Sequence, residues 1–469
     1  GTAAPAGGGW TGGARQGSVS VRLFRGPGAV PTPTFRTALI MLEKLFALQA
    51  RGTTARTEIL AGCTTFLTMS AILFVNPDIL GQAGMDRGAV FVATCLAAAI
   101  GSLLMGVLAN YPIAQAPGMG INAVFTFGLV KGMGLPWETA LGAVFLSGLL
   151  FVLVSLLKVR EWFVNAIPAS LKHGITAGVG LFLALLALHA AGIVTASPDT
   201  LLTLGNLKAP PALLAIGGFL LMAALDQRGV PGAILIGILA VTAASVALGL
   251  SSFGGVFSIP PSLAPTLFKA DIRAALDPAL LGVVLSFFLM SLFETSGTLI
   301  AIAQRGGFLD GQGRLPRLER ALLADSSAIS IGALLGTSST TSYLESGAGI
   351  SAGGRTGLTA AVVAALFLAS LALAPLAATV PAYATAPALL YVAILMLRSL
   401  GELDWNDLTE SAPAVCCVTV MAFTFSIADG IAFGVLGHVA LKLLTGQTRQ
   451  TGWPMAVIAG LFLARYLWL

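Results

Sequence analysis

The sequence predicts an all-α polytopic membrane protein, and three observations predict it. Hydrophobic residues make up 56% of the chain and charged residues 10%, with a mean hydropathy of +0.91. A soluble domain carries about 25% charged residues, so this chain lacks the polar side chains to coat a core of its size. Apolar stretches of about twenty residues, each able to cross a hydrocarbon layer of about 30 Å, recur from Thr57 onward. The short alternating segments of a transmembrane barrel are missing. The formal charge of +5 belongs to loops, and no nucleic-acid partner is expected.

Residues 1–35, rich in Gly, Ala and Pro, read as a disordered or targeting tail, and 36–56 as an amphipathic lead-in helix. Spans follow near 57–80, 87–110, 115–132, 136–157, 172–194, 210–228 and 230–250. A second set follows near 279–304, 319–336, 343–355, 357–379, 382–399, 413–428 and 429–445, giving fourteen. Residues 452–469, apolar with Arg465 and several aromatics, read equally as an interfacial helix or a further span. Cys63, Cys95, Cys416 and Cys417 lie inside spans without metal-ligand spacing and read as reduced packing residues.

Basic residues fix an orientation. With the amino terminus cytoplasmic, nineteen Lys and Arg fall inside, among them Lys158, Arg160, Lys172, Arg314, Arg317, Arg320, Arg355, Lys442 and Arg449. Five fall outside: Arg87, Lys131, Lys208, Lys269 and Arg273. The chain is expected in the plasma (inner) membrane with its amino terminus in the cytoplasm.

The two sets correspond. The third span, beginning "YPIAQAPGMGINAVFTF" (111–127), and the tenth, beside "GTSSTTSYLESGAG" (336–349), are both short and broken. Spans six and seven meet at "LDQRGVPG" (225–232), and thirteen and fourteen at "SIADGIAFG" (426–434). Seven is odd, so the second set sits inverted relative to the first, and paired interruptions in two halves point to a transporter's binding site. Pro117, Gly118 and Gly120 on one side, and Gly347, Gly349, Gly353 and Gly354 on the other, are the expected breaks. Backbone freed there is tolerated at membrane depth only if buried in protein or lining a cavity, where it can bind a polar solute.

Two acids supply the chemistry. Glu294 lies near the centre of span eight, where a carboxylate costs about 2.5–3.5 kcal/mol. Ser291, Glu294, Thr295 and Thr298 recur at i, i+3, i+4 and i+7 and form one polar stripe with no Lys or Arg on it. Glu345 follows the run of hydroxyls. A carboxylate accepts two N–H bonds side by side, as the edge of a nucleobase offers them, and such groups can take a proton with a substrate. The simpler alternative for each is a protonated acid bonded to a neighbouring helix, or, for Glu345, a cap on backbone amides.

"QAPGMGINAVFTF" (115–127), "LFETSGTLIAIA" (292–303) and "TSSTTSYLESGAGISAGGRTGLTA" (337–360) resemble the AzgA-like purine permeases, a branch of the nucleobase–ascorbate (nucleobase–cation symporter) superfamily. The resemblance runs from about Leu45 to the C-terminus. It implies two inverted seven-span repeats with short strands in spans three and ten. It also implies a core domain (57–157 and 279–379) and a gate domain (158–250 and 380–445). The implied activity is proton-coupled import of adenine, guanine and hypoxanthine by an elevator-like motion, in a homodimer, with the proton as coupling ion and no other cofactor. Carried over, Glu294 is the span-eight substrate carboxylate, with Thr298 next on its face. Many members have Asp at that position. Glu345 is the span-ten carboxylate, approached by Thr341 and Ser342 and expected to organise the strand. Asn122, Met119 and Gly120 occupy the span-three motif. Phe125 and Phe127 are candidates to stack on the purine, against the ordinary reading of packing. Either acid could carry the proton.

Other residues have plainer readings. Asn76, before Pro77, could approach the site but reads more simply as a helix-end cap near the outer surface. His173, His189 and His438 lack metal-ligand spacing, and Arg355 reads as the cytoplasmic mouth of span ten. Nucleotide-binding loops and nucleophile elbows are missing, so no enzyme is expected. The rival reading, a sulfate- or bicarbonate-type anion transporter of the same architecture, wants cationic or neutral groups facing its cavity, and two acids oppose it.

Overall fold

The computed structural model describes residues 41–156, 168–197, 200–310, 315–424, 426–447 and 452–468. The expected tail, the start of the lead-in and the basic residues Lys158, Arg160, Arg314 and Arg449 lie outside them. The rest of the lead-in corrects the expectation of one helix. A helical turn at 41–46 stops at Ala47, whose φ of 53° is left-handed, and the chain folds back so that Phe46 and Leu48 bury against Leu358.

Helix α1 (Ala55–Met69) starts where the Thr54 hydroxyl accepts the Thr57 N–H. The helix is interrupted at Ser70 and resumes as α2 (Ile72–Gly81), with Pro77 inside it. Asp86 caps α3 (Arg87–Leu104), accepting the Ala89 N–H at 2.7 Å, and α3 continues as a π-turn to Ala109. Strand β1 (Gln115–Pro117), helix α4 (Met119–Ala123) and a π-helical stretch to Gly132 make up the third span. Helices α5 (Trp137–Leu156) and α6 (Ala169–Ala190) follow. A hairpin of β2 (Val194–Ser197) and β3 (Leu201–Leu204) then precedes α7 (Pro210–Gln227) and α8 (Ala233–Ala247).

The second half runs α9 (Leu281–Gly306), α10 (Leu318–Leu335), β4 (Thr340–Ser342), α11 (Ser346–Ser351) and α12 (Gly357–Ala369). It ends with α13 (Ala374–Thr379), α14 (Ala382–Leu397), α15 (Leu408–Thr424), α16 (Ile427–Leu444) and α17 (Trp453–Trp468). Eight helical stretches among the described residues are long and apolar enough to cross a membrane, so the protein is an integral membrane protein. Two local expectations change. The turn expected across 426–434 is confined to the start of that range, because Ser426 caps α16 by accepting the Asp429 N–H and the remainder is helix. The hairpin β2–β3 had no counterpart in the sequence reading.

Helix packing falls into two neighbourhoods. One gathers α1 and α3 on α12, and α3 and α5 on α10, with α9 on α5; the other gathers α14 and α15 on α6, with α7 on α8 and α14. Small residues let backbones meet at the crossings. A Cβ on Gly357 would lie 2.0 Å from the Gly106 carbonyl oxygen, and one on Gly174 would lie 2.9 Å from Ala414 Cα.

Polar ties hold the loop ends. Glu58, fully buried, accepts the Arg355 N–H at 2.8 Å, the Thr356 N–H at 3.2 Å and the Thr359 hydroxyl at 2.6 Å, and so closes the start of α12. In the other neighbourhood the buried Lys442 pairs with Glu410 at 2.9 Å and Asp407 at 3.8 Å. Glu410 also accepts from Ser170 and lies 3.9 Å from His438, which joins α6, α15 and α16.

Candidate functional site

The centre of the first neighbourhood is a pair of strands from opposite halves of the chain. β1 and β4 are antiparallel, with Gln115 opposite Ser342, Ala116 opposite Thr341 and Pro117 opposite Thr340. The ladder extends through Gly118 N–H to Ser339 O at 2.9 Å and Tyr343 N–H to Ala114 O at 3.0 Å. The Tyr343 hydroxyl donates to Pro117 O at 2.6 Å. The strands therefore satisfy much of the backbone that the sequence reading left open for a solute. Among the described residues, what stays without a backbone partner is the start of α4. Its first intrahelical bond is Asn122 N–H to Gly118 O, and the Met119, Gly120 and Ile121 amides precede it.

The position of the tenth-span break is a correction. The interruption is the hydroxyl run and β4, whereas Gly347 and Gly349 lie inside α11. Their smallness serves packing: a Cβ on Gly349 would lie 2.1 Å from Thr65 Oγ1 and 2.5 Å from Ala61 O on α1. Gly353, at φ 105°, turns the chain beyond α11.

The polar stripe of α9 faces the strands. Ser291 shares a hydrogen bond with Ser339 at 3.1 Å, and Thr295 with Thr341 at 3.2 Å. Between them on the stripe is Glu294, half-buried. A Cβ on Gly118 would lie 3.0 Å from Thr341 Cγ2 and 3.6 Å from each Glu294 carboxylate oxygen. The missing side chain of Gly118 thus lets β1, β4 and the Glu294 carboxylate meet along one narrow seam. Asp325 and Glu345 are electrostatic neighbours of Glu294, and among the described residues no cation forms an ion pair with it. Thr298 is buried one helical turn further on.

Glu345 does not organise the strand through its side chain. It precedes α11 in helical conformation without capping it, and its carbonyl accepts the Thr68 hydroxyl at 3.4 Å. That organising role belongs to Asp325 of α10, which the sequence reading did not single out. Asp325 Oδ1 accepts Gln115 Nε2 at 3.0 Å and Ser342 Oγ at 2.8 Å, and Oδ2 accepts Thr295 Oγ1 at 2.5 Å. One carboxylate thereby holds β1, β4 and α9 together. Its sequence signal was available, an acid within the span 319–336, but it follows the charged segment that opens the same helix.

Asn76 is also corrected. It lies in the middle of α2, fully buried, and donates to Thr94 at 2.6 Å and Thr337 at 2.9 Å. It accepts Asn122 Nδ2 at 2.5 Å, and Asn122 Oδ1 accepts from Ser338. Asn122 is therefore engaged in fixing α4 against the hydroxyl run. Phe125 is fully buried in the apolar core, while Phe127 is half-buried with Lys131 Nζ 5.2 Å from its ring centroid. Met119 is buried, and a Cβ on Gly120 would lie 2.7 Å from Val179 of α6. Arg355 donates its Nη1 to Gly306 O at 3.0 Å, which ties the end of α9 to the loop after α11.

A half-buried acid beside a two-stranded seam inside a bundle of apolar helices suits a membrane transporter, and the family and relatives of the chain give that class rather than an enzyme. The chain belongs to the permease family whose model is Xan_ur_permease, the nucleobase–ascorbate transporter family, with residues 56–433 matched. It is 49% identical to a putative permease of Methanocaldococcus jannaschii, covering 91% of this chain and 98% of that protein. It is 46% identical to the adenine permease AdeP of Escherichia coli (92% of this chain, 96% of AdeP). It is 41% identical to the guanine/hypoxanthine permease PbuO of Bacillus subtilis (89% of this chain, 98% of PbuO). Among solved structures, the fold is similar to the transmembrane domain of the cyanobacterial bicarbonate transporter BicA, with TM-score 0.60, 18% identity, and 81% of this chain and 97% of that one covered. It is similar also to SLC26A9, with TM-score 0.60, 12% identity, and 88% and 69% covered.

Proposed function

We propose that this protein imports purine nucleobases, of the adenine, guanine and hypoxanthine class, together with protons. The observation that carries the proposal is the Glu294 carboxylate against the Gly118–Thr341 seam. A purine presents adjacent N–H groups on one edge, which a carboxylate accepts side by side, and ring acceptors on another, which suit the open amides at the start of α4. The names of the relatives AdeP and PbuO favour a purine over other heterocycles. Glu294 binds the purine edge, Thr298 and Thr341 flank it, and Met119 and Gly120 carry the open amides. Asn122 and Glu345 shape the site from behind. Fourteen spans form two inverted repeats, and the neighbourhood around β1 and β4 moves as a core against the gate built on α6, α14 and α15. The protein works as a homodimer in the plasma membrane with its amino terminus in the cytoplasm.

The BicA and SLC26A9 likeness extends to fold alone, and a site ringed by Glu294, Asp325 and Glu345 does not suit an anion. The test is radiolabelled purine uptake at acidic and alkaline external pH, with and without a protonophore, against competing adenine, guanine, hypoxanthine, xanthine and uracil. Uptake should rise with external acidity, collapse with the protonophore and yield to purines before uracil. No uptake of any purine would end this reading.

A further inference from the structure

We propose that Asp325, rather than Glu294 or Glu345, holds the proton that travels with the purine, and that Thr295 and Thr341 link it to the Glu294 seam. The proposal rests on the symport reading above and deepens it.

Asp325 is fully buried, and among the described residues no lysine, arginine or histidine forms an ion pair with it. Its three partners are neutral: Gln115 Nε2 and Ser342 Oγ on Oδ1, and Thr295 Oγ1 on Oδ2. Three donors on two oxygens satisfy the ionised carboxylate. Two of the three are hydroxyls, which accept as readily as they donate. When a proton sits on Oδ2, the Asp325 O–H donates to Thr295 Oγ1, and the Thr295 hydrogen turns to Thr341 Oγ1, 3.2 Å away. Both protonation states are thus fully bonded with every heavy atom in place. A purely structural carboxylate needs only one of them.

Two further features agree. Gln115 Oε1 is buried without a hydrogen-bond partner, and a flip of that amide presents it to a protonated Oδ1. Thr341 lies with its methyl group against Gly118, beside the Glu294 carboxylate, so the hydroxyl chain from Asp325 ends on a residue that lines the seam. Glu294 has a different setting: it is half-buried at the open side of the seam, where the purine edge can occupy its lone pairs. Among the described side chains, the titratable groups on the elements around α10 are Glu294 on α9, Tyr343 and Glu345 after β4, Arg87 and Cys95 on α3, and Glu138 on α5. On α10 itself they are Glu319 and Arg320, with Arg317 at its start. The proton enters from the outer side with the purine bound, rests on Asp325, and leaves to the cytoplasm when the purine has gone.

The experiment uses the full chain, purified and reconstituted in liposomes, as wild type and as Asp325→Asn. Purine binding by calorimetry in two buffers of different ionisation enthalpy counts protons taken up, while uptake driven by a pH gradient and exchange against internal purine are measured in parallel. For Asp325→Asn the expected result is retained binding and exchange, no proton uptake on binding, and accumulation falling to an inside-to-outside ratio of one. Undiminished proton uptake or gradient-driven accumulation in Asp325→Asn overturns the assignment. Absence of purine binding by the wild type removes the transport reading and this inference with it. If Asp325→Asn fails to fold, Thr295→Val replaces it, removing the donor to Oδ2 at constant volume. The pH midpoint of uptake should then move to a more alkaline value with exchange retained, and an unchanged midpoint overturns the proposal.

Discussion

Glu58 and Glu294 are both acids within membrane-spanning helices, and their surroundings separate their roles. Glu58 spends its oxygens on two backbone N–H groups and a threonine hydroxyl, so nothing is left for a solute. Glu58→Gln turns an amide N–H toward those donors and should destabilise the fold by about 1.5–3 kcal/mol, read as a lower unfolding temperature in detergent with purine affinity unchanged in the folded fraction. Glu294→Gln should do the reverse. The fold should survive, while purine affinity drops at least about tenfold, or about 1.4 kcal/mol, in an equilibrium binding assay. Wild-type affinity in that variant would place the purine elsewhere. Glu294 stands out in the sequence because it is the one charged residue between 281 and 303. Asp325 was not, because it shares a helix with Glu319 and Arg320 and reads as an extension of the loop before them. Asn76 was misjudged because Pro77 suggests a helix end, whereas the actual interruption comes earlier, at Ser70.

At the scale of elements, the tenth span teaches most. Its glycines promised broken backbone, and its hydroxyls carry the break instead. A strand needs partners for its N–H and C=O groups, and serines and threonines at 337–342 supply side-chain bonds to α9 and α10 as well. Gly349 lets α11 lie directly on α1. Gly349→Ala pushes a methyl group into Thr65 Oγ1 and Ala61 O and should cost about 1–3 kcal/mol of stability, measured by thermal unfolding, with transport falling in step with the folded fraction. An unchanged melting temperature would mean that α11 stands further from α1. Pairing of β1 with β4 could not be read from either segment alone, since three residues carry no register signal. The β2–β3 hairpin escaped because its strands are short, and a period of two over four residues is lost among apolar neighbours.

The whole molecule was the most legible level, since lipid selects composition directly. The division into two neighbourhoods was accessible only through family resemblance, because which helix packs on which depends on contacts between distant residues. Among the contacts that bridge the neighbourhoods, two matter for motion. Gly120 of α4 touches Val179 of α6, and Asp78 of α2, paired with Arg87 at 3.2 Å, accepts the Thr385 hydroxyl of α14 at 3.2 Å. If one body slides on the other, Gly120→Val should wedge them. Transport should slow at least about tenfold, equivalent to about 1.4 kcal/mol of barrier, beyond any loss of purine affinity that the altered α4 backbone brings. A matching loss of affinity would instead assign Gly120 to the binding surface alone.

The two central strands pair in a sheet of two, and each belongs to a different half of the chain. Neither half of the polypeptide can complete a ladder by itself, and a lone strand edge at membrane depth leaves amides with no water to turn to. A chain severed in the long connection between α8 and α9 should therefore recover activity when both pieces are made in one cell. Either piece made alone should be cleared by membrane proteases.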